Sequence, residues 1–169
     1  MTAAWVVLAT AVALALQTTM ARFGVGGTVT VDFVLVVVVY ASLTSGPVTG
    51  LLTGTFAGLV QDSLSSGVIG VGGLAKTIVG FGVGVIGTRF IVARPLPRFV
   101  VFFGATAVHA VVFIGLHELF RAREFGIPYA AEAGKALGNA IIGVVALQLA
   151  ELLPGAMERR RLAKPRLRR

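Results

Sequence analysis

The sequence predicts an all-α polytopic membrane protein of about six transmembrane helices, one for each apolar stretch long enough to cross a bilayer. Three observations predict it. Of the 169 residues, 56% are hydrophobic and 13% charged, with a mean hydropathy of +0.92, which is more apolar than a water-soluble domain. Apolar stretches follow one another with only short polar joints between them. The basic residues gather at the ends of those stretches instead of spreading along the chain. The organisation expected is a six-helix transmembrane domain over residues 1–155 and a basic cytoplasmic tail over residues 156–169.

A helix needs about 20 mostly apolar residues to cross the hydrocarbon, and fewer where a neighbouring helix or local thinning helps. The first segment runs from Ala3 to Ala21. Its Ala13-Leu14-Ala15 fits the small-x-small pattern of a cleaved leader, but nothing from Met1 to Gln17 is charged except the amino terminus. Without a positive leading region, the stretch reads as a retained helix. The second, Thr28 to Leu43, is the shortest. Its Val36 to Val39 run would suit a buried strand in water, but a lone strand in lipid cannot satisfy its backbone, so a helix is expected. The remaining four are Pro47 to Leu64, Val68 to Ile91, Arg98 to Leu119 and Glu132 to Leu153.

Orientation follows from the basic residues near the helix ends. Arg89, Arg94 and Arg98 join the seven in the tail on one side, against Arg22, Arg121, Arg123 and Lys135 on the other, ten to four. The richer side faces the cytoplasm, so both termini are expected inside. The loop from Arg121 to Tyr129 is the longest on the outer side, and its mixed charges read as solvation.

The same counts exclude several function classes. With no cysteine and two histidines, neither a disulfide framework nor a thiolate or histidine-rich metal site can form. The net charge of +8 does not indicate nucleic acid, because seven of the fifteen basic residues crowd the last eleven positions as a juxtamembrane tail over anionic lipid. No GxSxG elbow, HExxH pair or phosphate-binding glycine loop is present. No enzyme, cofactor or metal is therefore expected.

Two constellations remain. Gly46, Gly50, Gly54 and Gly58 recur every four residues, on one face of the third helix, and the fourth helix carries Gly72, Gly80 and Gly84 in register with Lys76. Helices in lipid associate through close backbone approach at small residues, so these stripes read either as packing between helices three and four or as a groove for another protein's helix. The second constellation is polar. Alternating helix directions bring Asp32, Asp62, Lys76 and Asn139 to similar depth in the outer half, with Gln17 and Gln61 beside them. A charge inside a span costs about 2.5 to 3.5 kcal/mol, so Lys76 calls for a partner. Asp62, across the short hairpin between helices three and four, is the expected one. His109, near the middle of helix five, reads as a hydrogen-bonded bundle histidine.

The stretch from Asp32 to Gly84 resembles the rod shape-determining protein MreD family. The residues carrying the likeness are Asp32-Phe33-Val34-Leu35, Tyr40, the glycine helix from Gly50 to Gln61-Asp62, then Ser65, Ser66, Gly67, Gly70 and Leu74-Ala75-Lys76. The resemblance implies a non-enzymatic scaffold of the bacterial cell-wall elongation machinery, in the cytoplasmic membrane, helping to regulate peptidoglycan synthesis and cell shape. The partners it implies are MreC and, through it, MreB, RodA and a class B penicillin-binding protein, besides membrane lipid. The fold it implies is that of the S-components of energy-coupling-factor transporters. That likeness supplies a second reading, a substrate-binding subunit of a vitamin-type transporter, for which the polar cluster would be the pocket.

Overall fold

The computed structural model describes residues 3–22, 31–65, 69–90, 94–121 and 134–149. They form six helices: α1 (Ala3–Arg22), α2 (Phe33–Ser45), α3 (Pro47–Leu64), α4 (Val71–Arg89), α5 (Pro95–Arg121) and α6 (Gly134–Leu149). No strand occurs among the described residues. The tail from 156 and the outer loop beyond Arg121 lie outside them, as do residues 28–30, where the second helix was expected to begin.

Two helical stretches, Val71–Arg89 and Pro95–Leu116, are long and apolar enough to cross a membrane by themselves, and Ala4–Met20, Phe33–Ser45 and Gly134–Leu149 are shorter apolar stretches. The outward faces carry large apolar side chains on every helix but α2, among them Trp5, Leu52, Phe81, Val111 and Ile141. Water-soluble surfaces rarely present so much apolar area. Lipid does not penalise it.

The short α2 sits at the centre. Val34 and Val38 pack with Ala13 and Leu14 of α1 and Ala57 of α3, while Leu35, Val36 and Val39 pack with Val79, Val83, Phe102, Ala140 and Leu147 of α4, α5 and α6. A helix buried all round must be apolar all round, which accounts for the valine run. It starts at Phe33, later than the hydropathy suggested, because the Asp32 carboxylate accepts from the Leu35 N–H at 2.9 Å and caps it. Gly46 ends it with φ of +87°, and Pro47 opens α3 directly, so two helices meet at one residue.

The glycine stripes face each other between α3 and α4. A Cβ at Gly50 would overlap the Gly80 carbonyl, one at Gly54 the Lys76 carbonyl, one at Gly58 the Gly73 Cα, and one at Gly84 the Pro47 backbone. The face of α3 is thus filled by α4 of the same chain. Gly46 lies at the corner, outside the stripe, and serves the turn. A hydroxyl contact, Thr55 to Thr77 at 2.8 Å, crosses the same seam.

A buried polar network beside a small cavity

Two helices and a helix cap meet at Lys76. The ammonium, on the second turn of α4, lies 3.0 Å from the Asp32 Oδ2 that caps α2 and 3.2 Å from His109 Nε2 on α5. Lys76, Asp32 and His109 are all buried. The chain continues through Asn139 of α6, whose Oδ1 accepts from the Asp32 N–H at 2.9 Å and whose Nδ2 donates to Thr106 Oγ1 at 3.1 Å. Thr106 donates in turn to the Phe102 carbonyl at 3.0 Å. Each charge is therefore compensated where it is buried, the condition under which a span tolerates one.

The pairing expected between Asp62 and Lys76 is not made. Asp62 Oδ2 accepts from the N–H groups of Gly70 at 2.9 Å and Gly73 at 3.0 Å, capping the start of α4. The reason is depth. Asp62 stands in the last turn of α3, level with the open N-terminus of α4, whereas Lys76 is a turn and a half further along that helix. At that level lies the cap of α2, and its carboxylate takes the lysine.

Of the four residues assigned to the outer polar cluster, Asp32, Lys76 and Asn139 thus form one hydrogen-bonded network, and Asp62 stands beside it on its own partners. His109 and Thr106 belong to the network and were not included in that cluster. Their signal was present: they are three apart on α5, on the face that also carries the buried Phe102 and Ala105.

A cavity of about 190 Å³ opens next to the network, lined by Asp32, Asp62, Lys76, His109, Phe113 and Lys135, with Gln17 and Gln61. Gln17 Oε1, Gln61 Oε1 and His109 Nδ1 are buried and lack hydrogen-bond partners among the described residues. No group of acidic, histidine or cysteine side chains suited to a metal occurs among the described residues.

A second concavity is almost wholly apolar. It runs between α4 and α5, with about 510 Å³ of space, along Ile78, Gly82 and Ile86 on one side and Val100, Gly104 and Val108 on the other. The spacing of four puts each trio in one stripe. A Cβ at Gly82 or Gly104 would meet nothing within 4 Å, unlike those of the α3 and α4 seam.

Comparison with known proteins gives one match. The family model described as rod shape-determining protein MreD covers residues 1–152. No match is found among curated proteins or solved structures. The match spans every described helix, including α1, α5 and α6, which lie outside the stretch from Asp32 to Gly84 that carries the resemblance. The chain belongs to the MreD family of rod shape-determining proteins, and it is a membrane protein with a role in determining rod shape.

Proposed function

We propose that this protein is a non-enzymatic membrane scaffold that binds MreC, receives its transmembrane helix in the groove between α4 and α5, and so helps to regulate peptidoglycan synthesis during elongation. The six helices cross the cytoplasmic membrane with both termini in the cytoplasm, in an arrangement like that of the S-components, and MreB, RodA and a class B penicillin-binding protein are reached through MreC.

The observation that supports docking is the contrast between the two sets of glycines. Those of the α3 and α4 seam, Gly50, Gly54, Gly58, Gly80 and Gly84, are closed off by backbone of the same chain, so they are unavailable to a partner. Gly82 and Gly104 face open apolar space between two long exposed helices, where another helix could approach closely without leaving a polar group unsatisfied. The experiment is co-purification of MreC from bacterial membranes with Gly82→Leu and Gly104→Leu. Both variants should accumulate as the parent does and lose most of the captured MreC. Normal capture by both would remove the groove from the account.

The transporter reading has the polar cavity on its side. Size weighs against it. Ligand pockets for drug-sized and vitamin-sized molecules usually span about 300 to 1,000 Å³, and this one offers about 190 Å³.

A further inference from the structure

We propose that the polar cavity beside Lys76 binds a neutral, hydroxyl-rich group no larger than one sugar ring. The site is separate from the α4 and α5 groove, and the inference stands whether or not MreC docks there.

The wall of this cavity still lacks partners for three polar atoms among the described residues. Lys76 can only donate, so its contact at 3.2 Å makes His109 Nε2 the acceptor and places the ring hydrogen on Nδ1. That N–H is a buried donor with no acceptor among the described residues, on a residue only 3% exposed. Gln17 and Gln61, reaching in from α1 and α3, present buried amide oxygens with no donor among the described residues. A buried polar group left without a partner costs about 1 to 3 kcal/mol, and all three belong to residues that line this one space, so an occupant is called for.

The chemistry of the occupant follows from the same groups. The charges on the wall balance, with Asp32 and Asp62 against Lys76 and Lys135. Asp32 is already held by Lys76 and the α2 cap, and Asp62 by two backbone N–H groups, so the site is not built to take a net charge. It needs a molecule that donates to two amide oxygens and accepts from one N–H. A hydroxyl does both, and it also suits either orientation of a glutamine amide. Phe113, whose ring stacks on His109 with centroids 5.7 Å apart, adds an apolar face to the wall. Polar edges around one aromatic plane suit the C–H and O–H faces of a polyol ring. The size is consistent: about 190 Å³ is the room of roughly six waters at about 30 Å³ each.

Such a group can arrive free in solution or as the head of a lipid, and the test separates the two. The purified full chain, in phosphatidylcholine nanodiscs, is followed by thermal denaturation with glucose, with choline and with phosphate, and in nanodiscs containing either glucosyl diacylglycerol or plain diacylglycerol. Stabilisation by glucose points to a free ligand, and stabilisation by glucosyl diacylglycerol but not by diacylglycerol points to a lipid head group; either supports the proposal. Permethylated glucose, which keeps the ring but has no hydroxyl donors, should give no shift. The double variant Gln17→Leu, Gln61→Leu should fold, since it removes two unpartnered acceptors, and should weaken the apparent affinity at least about tenfold. No shift in either arm means a cavity that holds solvent only, and the proposal falls. It falls equally if permethylated glucose, choline or phosphate stabilises as well as glucose, or if the double variant shifts like the parent, which is the generic osmolyte effect.

Discussion

Lys76 Nζ lies 3.0 Å from Asp32 Oδ2, and this contact joins the second turn of α4 to the residue that caps α2. One carboxylate therefore does two jobs. Its Oδ1 accepts from the Leu35 N–H, starting α2 at a defined residue, and its Oδ2 neutralises the only charged side chain of α4 before Arg89.

Breaking that pair from one side should be costly. Asp32→Ala leaves Lys76 charged and buried, a change worth about 3 to 5 kcal/mol in comparable cores. Adding Lys76→Met removes the stranded charge and should restore part of the loss. Thermal denaturation of the purified single and double variants, with membrane levels compared by blotting, reads the interaction. Strictly additive losses in the double variant would mean that the two side chains contribute independently.

Asp62 should behave differently, because it works as a cap. Asp62→Ala strips partners from the Gly70 and Gly73 N–H groups and should cost about 1 to 2 kcal/mol, as lost helix caps do. Asp62→Asn retains an oxygen acceptor and should cost much less. Lys76→Met should give no rescue of Asp62→Ala. A rescue as large as that of Asp32→Ala would return Asp62 to the role of lysine partner.

The two classes of glycine separate in the same way. Gly54→Leu forces a side chain into the Lys76 backbone and should abolish accumulation, whereas Leu52→Ala, on the exposed face of the same helix, should be nearly silent. Gly82→Leu should accumulate like the parent. Quantitative blotting of membrane fractions decides it, and normal levels of Gly54→Leu would contradict the tight α3 and α4 seam.

A cytoplasmic C-terminus is expected from the ten-to-four distribution of basic residues. A C-terminal alkaline phosphatase fusion should be inactive and a green fluorescent protein fusion bright. The opposite pair of results would invert the membrane topology proposed for the bundle.

What the sequence made legible follows from periodicity and depth. Gly50, Gly54 and Gly58 share a face of an α-helix, and their partners Gly80 and Gly84 carry the same spacing, so the α3 and α4 seam could be read from the chain. Depth along alternating helices likewise put Asp32, Lys76 and Asn139 at one level. Rotation about the helix axes could not be read that way. It decides that Lys76 turns toward α2 and α5, and that His109 and Thr106 of α5 close the network, while Asp62 is kept from the lysine by its depth, level with the start of α4. The start of α2 was misjudged because hydropathy rises at Thr28, while the helix is set by the Asp32 cap. The open groove was invisible for a related reason: Gly82 and Gly104 are isolated glycines, and only the packing of their neighbours leaves space in front of them.

The most direct test of the scaffold uses the absence of cysteine from the chain. Single cysteines are introduced at Ile78, Ile86, Val100 and Val108 along the groove and at Leu52 on the opposite exposed surface, and paired with single cysteines along the MreC transmembrane helix. Oxidation in native membranes should then give disulfide-linked complexes at the groove positions, with a period of three to four residues along the MreC helix, and none at Leu52. Cross-links at Leu52 with none in the groove, or no cross-link at any position, would contradict docking between α4 and α5.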